Sequence, residues 1–238
     1  MVSRIKLGEM VVDVVLKDIK NVHLSVYPPH GAVRISAPKR MSLDRIRLFA
    51  VSRLAWIKQQ QKKLQEQERE TAREYVDRES HYVWGKRYLL EIREADAPPF
   101  IDLRHKRMIL RVRPGTSARA REAIVEEWYR QLIKESVPSL LARWQPLLRV
   151  EATRFFVQRM KTKWGSCNQH ARTIRLNTEL AKKPPECLEY LVVHELAHLL
   201  EPTHNERFVA VMDHCMPRWR LHRNVLNRLP VRQETWSY

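Results

Sequence analysis

A group of histidines in the C-terminal part of the chain constrains its fold more than any other feature. The segment His194–His198 reads H-E-L-A-H. On an α-helix, residues four apart lie on one face with Cβ atoms about 5–6 Å apart, so both imidazoles can bind one ion through Zn–N bonds of about 2.0–2.1 Å. Glu195 follows the first histidine, where its carboxylate can reach a water activated by the metal without being a ligand. The pattern predicts a metal-binding helix.

A third histidine, His204, can return to the same metal if the helix ends early. Pro202 can end it, because proline cannot continue the hydrogen-bond ladder. Thr203 and Glu206 have the spacing of a capping box, which predicts a second helix that begins at His204. Three histidines with one open coordination position are typical of catalytic zinc, whereas structural zinc usually has four protein ligands. We therefore predict one Zn²⁺, although other divalent cations accept the same ligands.

The composition is that of a globular protein. The chain has 238 residues, 44% of them apolar and 30% charged, which suits one sizeable domain or two small ones. The longest apolar run near the N-terminus, Met10–Leu16, is short and contains Asp13, so we expect neither a signal peptide nor a membrane span. The chain has three scattered cysteines. This odd number is typical of a reducing compartment and predicts a cytoplasmic protein.

The charge is strongly positive. Lysines and arginines number 44 against 27 acidic residues, a formal net charge of +17. Such an excess favours non-specific association with nucleic acid or other polyanions. The basic residues are spread along the chain without a recognisable nucleic-acid-binding motif, so a dedicated site does not follow.

The hydrophobic pattern predicts an α+β fold. Alternating or β-branched segments predict strands in a β-rich N-terminal half, residues 1–115, which also contains one long helix over about 42–75, capped by Ser42. Residues 116–238 form a helical, zincin-like catalytic subdomain with the metal helix. The pair Pro184-Pro185 predicts the start of that helix, since proline suits the first helical position. The two subdomains together make one domain.

Two parts of the sequence resemble a known family. Met160–Cys167 reads M-K-T-K-W-G-S-C, and the segment Ile174–Asn177 precedes Leu191–His198. Together they are similar to the YgjP-like metallopeptidases, a family of metal-dependent hydrolases related to SprT and WLM-type proteases. The resemblance extends over about residues 11–228. It implies an α+β fold, Glu195 as the catalytic carboxylate, and zinc at His194, His198 and His204.

The residues before the metal helix are candidates for substrate binding. Gly165 lets the backbone approach a substrate or another strand closely. By resemblance to related peptidases, strand Thr173–Asn177 pairs with an extended peptide. Two interpretations of the lysines stay open, because they either bind phosphate or an oxyanion or are simply solvated. The candidate residues are Lys161, Lys163, Trp164, Gly165, Ile174 and Leu176.

These features favour metal-assisted hydrolysis of peptide bonds, with Glu195 as the general base. Two alternatives stay open. The lysines and the basic surface also suit a nucleotide pyrophosphatase with a UTP-like substrate, although no phosphate-cradling glycine loop is present. The charge and the SprT and WLM resemblance also suit a nucleic-acid-associated protease.

Overall fold

The computed structural model describes residues 2–27, 31–66, 69–70, 73–160, 163–228 and 231–232. The chain forms two compact units, Met1–Ala72 with Pro230–Tyr238, and Arg73–Leu229. The division predicted after residue 115 falls inside the second unit and stays a prediction about subdomains. None of the helices in the described ranges is long and apolar enough to span a membrane.

The first unit contains a four-stranded sheet and two helices. Its elements are β1 (Val2–Leu7), β2 (Met10–Lys17), β3 (His23–Tyr27), β4 (Ala32–Pro38), α1 (Leu43–Ser52), α2 (Leu54–Glu66), β5 (Arg69–Glu70) and β13 (Val231–Arg232). The sheet order is β1-β2-β4-β3, with β2 and β4 parallel. Alternate residues of the strands face the core that the helices cover, as the period of two in a strand requires. This core contains Ile5, Val12, Val14, Val33, Ile35, Ile46 and Ile57.

The single helix predicted over residues 42–75 is wrong. Ser42 does cap α1, since its side chain accepts a hydrogen bond from the Arg45 N–H. The helix then breaks at Arg53, whose φ of −107° and ψ of 9° leave the helical region and whose N–H bonds back to Ala50. The second helix, α2, ends at Glu66. No proline or glycine marks the break, so local sequence gave no signal for it.

The second unit contains the other sheets and helices. Its elements are β6 (Ser80–Val83), β7 (Lys86–Glu94), β8 (Phe100–Arg104), β9 (Arg107–Val112), α3 (Ala118–Leu148), β10 (Arg154–Gln158), β11 (Gly165–Asn168), β12 (Thr173–Asn177), a 3₁₀ helix (Thr178–Lys182), α4 (Pro185–Ala197), α5 (Glu206–Cys215) and α6 (Trp219–Arg228). The sheet orders are β6-β7-β9-β8 and β10-β12-β11. The predicted α+β fold, with a β-rich N-terminal half and a helical C-terminal half, is confirmed.

Helix α3 organises the core of this unit. Residues four apart on one face are buried, and they are Val125, Tyr129, Ile133, Val137 and Leu141. The helix runs on through Pro138 and packs against α4 and the 3₁₀ helix. Glu189 on α4 accepts hydrogen bonds of 2.9 Å from Arg143 and Trp144 on α3. Helix α4 is therefore fixed from one side by α3, while β11 and β12 pack on it as well.

Candidate metal centre

Helix α4 brings polar side chains into an apolar environment. Pro185 occupies its first turn and Pro184 its N-cap, as the sequence predicted. Almost the whole helix is buried, including Leu191, Val192 and Leu196. An all-round apolar helix is held by packing rather than by its own propensity. Its last turn therefore has a fixed position.

The chain then reverses to bring back the third histidine. His198 follows the end of α4 and still donates its N–H to the carbonyl of His194 (3.2 Å). Helix α5 begins at Glu206, and its N-cap is Asn205, whose Oδ1 accepts from the Phe208 N–H at 2.9 Å.

The predicted capping box of Thr203 and Glu206, with a helix beginning at His204, is therefore wrong. His204 lies in the bend just before the cap. Asparagine and threonine are both good N-cap residues. Asn205 is the cap because α5 begins directly after it, and its side chain reaches the unpaired N–H of Phe208 in the first turn.

Three imidazoles converge at this reversal. One nitrogen from each of His194, His198 and His204 lies within 4.8 Å of the others, and the Nε2 atoms of His194 and His204 are 3.1 Å apart. Tetrahedral zinc with Zn–N bonds of about 2.05 Å separates its nitrogens by about 3.3 Å. The buried ring of Phe208 lies 4.7–5.0 Å from all three imidazole centroids. The spacing and the apolar support suit a single ion.

The rings are also oriented for binding. A carbonyl can only accept, so the 2.9 Å contact between His198 Nδ1 and the carbonyl oxygen of Glu201 requires a proton on Nδ1. Nε2 of His198 is then free to coordinate, as in metal sites whose histidines donate their other N–H to a carbonyl. The hydroxyl of Tyr190 lies 3.5 Å from Nδ1 of His194. Gln169 fixes the backbone by donating to the carbonyl of His198 at 2.5 Å.

Burial disfavours the charged form of two of these imidazoles. It lowers the pKa of His194 to about 3, with further lowering by the charges of His198 and His204. Burial also lowers the pKa of His204. Neutral imidazole is the form that binds a metal. The donor set therefore fits a divalent ion such as zinc.

Glu195 follows His194 in α4, and its carboxylate lies in the interior. Only 4% of the residue is exposed, and its Oε2 has no hydrogen-bond partner among the described residues. Burial raises its pKa to about 8, against the opposing positive charge of Lys163. A carboxyl group tuned towards neutrality can accept and return a proton. A buried oxygen without a partner, on the residue next to His194, favours a role for the carboxylate in the site rather than in the fold.

The segment before β11 reaches the same place. Lys161 lies outside the described residues. Lys163 is exposed, and its charge acts on Glu195. Trp164 is half-buried against the core, with Nζ of Lys183 at 5.9 Å from its ring centroid. The charge of Lys163 thus acts on Glu195, and Trp164 packs against the core.

The predicted substrate strand requires a correction. Strand β12 is the central strand of its sheet and pairs with β10 on one side and β11 on the other, so its backbone cannot take a further strand. The side chains of Ile174 and Leu176 are fully buried in the core and cannot contact a substrate. Among the described strands, β11 pairs with β12 alone. Strand β10 is likewise an edge strand, but β11 is the edge at which Gly165 contacts the carboxylate of Glu195. The edge of β11 is therefore our candidate for pairing with an extended peptide.

Sequence reasoning missed two residues of this region. Asn177 is buried and donates hydrogen bonds of 2.8 Å to the carbonyls of Met160 and Lys163, which fixes the chain on both sides of Lys161. Arg223 on α6 has a positive charge that acts on His194 and His204. Neither has a motif, because each is brought to the site by tertiary packing alone.

Comparison with known proteins shows the family of this chain. A family model described as the YgjP-like metallopeptidase domain matches residues 20–229, so the chain belongs to the YgjP-like family. The resemblance stated from the sequence is confirmed, and the chain is by class a metal-dependent peptidase. A search of curated proteins found no match.

Two solved structures share local similarity with the chain. The metallopeptidase zymogen of abylysin from Pyrococcus abyssi is 22% identical with a TM-score of 0.36, and the match covers 38% of this chain and 90% of that one. The zymogen of jannalysin from Methanocaldococcus jannaschii is 21% identical with a TM-score of 0.32, covering 36% and 91%. Similarities this low define neither an activity nor a substrate.

Proposed function

We propose that the chain is a zinc-dependent peptidase in which His194, His198 and His204 hold the metal and Glu195 is the general base. One observation carries the proposal: the nitrogens of the three histidines converge within 4.8 Å, and Glu195, next to His194 in the chain, has a buried carboxylate with one oxygen that has no hydrogen-bond partner among the described residues. Three histidine nitrogens with an open fourth position are the ligand set of hydrolytic zinc.

The chain's own residues support hydrolysis as follows. Zinc held by the histidines would lower the pKa of water and polarise a peptide carbonyl. Glu195 takes the proton of the attacking water and passes it to the leaving amine. Its burial, which raises its pKa, favours the protonated form that delivers this proton. The free edge of β11 aligns an extended peptide through main-chain hydrogen bonds.

Two substitutions test these roles. Glu195→Gln keeps the ligands and should retain zinc while the hydrolysis rate falls by about 10²–10⁴-fold, the usual contribution of a general base. The substitution His204→Ala should abolish zinc binding. The matched control is His214→Ala, which replaces an exposed histidine on α5 and should leave zinc binding unchanged. Full hydrolysis by the Glu195→Gln protein would remove Glu195 from the mechanism, and unchanged zinc content without His204 would remove that ligand.

A second candidate reaction at the same site is hydrolysis of a UTP-like nucleotide. The positive charges of Lys163 and Arg223, which act on Glu195 and on His194 and His204, favour a substrate that carries negative charge. Incubation of one preparation with casein and with UTP separates the reactions. Pyrophosphate release that disappears in Glu195→Gln, without casein cleavage, would favour this candidate.

Association with nucleic acid has a weaker basis, the net charge of +17. It supports non-specific binding whose affinity falls steeply with salt, and DNA-stimulated proteolysis if binding and catalysis are coupled. DNA that neither binds nor stimulates at low salt would exclude that role.

The three cysteines are all free, which supports a reducing compartment such as the cytoplasm.

A further inference from the structure

The backbone conformation explains four of the five glycines of the chain, but it does not explain Gly165. Gly8, Gly31, Gly85 and Gly115 have φ between 62° and 76°, a conformation that side chains with a Cβ rarely adopt. Gly165 does not lie in that region, so its backbone would accept any residue. The requirement for glycine at position 165 must therefore come from its surroundings.

The surroundings are the carboxylate of Glu195. A Cβ placed on Gly165 would lie 2.5 Å from Oε1 and 3.0 Å from Cδ of Glu195, and 3.1 Å from the carbonyl oxygen of Arg175. Ordinary contact begins at 3.4 Å, so the oxygen would have to move by about 0.9 Å, the difference between 3.4 and 2.5 Å. A carbon and an oxygen cannot share that space.

Few atoms around Gly165 can yield. The carbonyl of Arg175 belongs to the central strand β12, which is bonded on both sides. Glu195 itself is attached to α4, which α3 fixes. The remaining freedom is rotation of the Glu195 side chain, and that rotation carries the carboxylate away from β11.

We infer that Gly165 is a positioning residue for Glu195: the missing side chain on the edge strand leaves the space that the carboxylate of Glu195 occupies. The catalytic consequence rests on the proposed function, whereas the steric relation does not. A shift of about 1 Å in a reacting group typically lowers a rate by about 100-fold. A methyl group at position 165 should therefore lower kcat without removing the metal.

A stability cycle tests the steric relation without any activity. Gly165→Ala should lower the Tm by several degrees in the wild-type background, measured with chelator present. In a Glu195→Ala background the carboxylate is gone and only the contact with the Arg175 carbonyl is left, so the loss should be less than half as large. Equal losses in the two backgrounds would overturn the inference.

A kinetic cycle tests the positioning role. Gly165→Ala should lower kcat for peptide hydrolysis about 100-fold, with KM and zinc content unchanged. Because aspartate is one methylene shorter, adding Gly165→Ala to Glu195→Asp should cost less than about 10-fold more. The same fold-loss on both backgrounds would mean general damage and would overturn the role.

A matched control separates lost stability from lost position. Gly115→Ala strains a turn residue with φ of 74° but meets no atom within 4 Å, so it should lower the Tm and leave kcat unchanged. If the wild-type protein cleaves no peptide, the proposed function fails, and the stability cycle still decides the steric relation.

Discussion

The strongest single test of how the fold supports the site is removal of the Asn177 side chain. This buried amide donates to the carbonyls of Met160 and Lys163 at 2.8 Å, and it accepts from the N–H groups of Met160 at 3.3 Å and Glu179 at 3.2 Å. Each bond contributes about 0.5–1.5 kcal/mol net, and unpaired buried partners cost more. Water can reach some partners, since Lys163 is exposed. Asn177→Ala should therefore lower the free energy of unfolding by about 3 kcal/mol.

The measurement is urea unfolding followed by tryptophan fluorescence, with chelator present. Asn168→Ala is the matched control, because that exposed asparagine accepts one hydrogen bond, from the Ala171 N–H at 3.0 Å. It should lower the free energy of unfolding by about 0.5–1 kcal/mol. If Asn177→Ala costs no more than the control, the amide does not hold the chain next to the site and the reasoning fails.

Three further perturbations have defined outcomes. Burial, and after it the charge of Arg73, lowers the pKa of His81 from 6.5 to about 4. The contribution of neutral His81 to the free energy of unfolding should therefore be complete above pH 6.5, and the free energy should fall by up to about 3 kcal/mol towards pH 4. A His81→Gln protein whose stability has the same pH dependence would refute this. Zinc at 100 times its Kd should raise the unfolding free energy by about 2.7 kcal/mol, and an equal rise in His204→Ala would place the ion elsewhere. The substitution Lys163→Met removes a positive charge that lowers the pKa of Glu195, so that pKa should rise and the acidic limb of the kcat/KM profile should move to higher pH. The control Lys163→Arg keeps the charge and should leave the limb in place. A limb that does not move in Lys163→Met would show that the two charges do not interact in the active protein.

The sequence predicted what depends on local spacing. Histidines four residues apart after Pro184-Pro185 predicted a helix, and α4 begins at Pro185. Alternating or β-branched segments predicted strands in residues 1–115, and both four-stranded sheets lie in that range. Glycine at position 165 predicted a close approach to a substrate or another strand, and the structure places both the Arg175 carbonyl of β12 and the Glu195 carboxylate there. The spacing also predicted that the three histidines converge, because a short reversal of the chain connects His198 to His204.

What the sequence could not predict depends on contacts between distant segments. The four residues of β11, Gly165–Asn168, show no alternation, and only pairing with β12 makes them a strand. Which strand of that sheet is central is likewise a matter of tertiary order, so Ile174 and Leu176 were misplaced at the substrate. The cap at Asn205 depends on where the reversal ends, since Thr203 is an equally suitable residue by type.

The most direct test of the central claim is a crystal structure with anomalous data at the zinc edge. We predict one zinc peak about 2.0–2.1 Å from one nitrogen of each of His194, His198 and His204, with Glu195 beside the open position and outside the ligand set. A zinc peak elsewhere, or a fourth protein side chain in that position, would contradict the account.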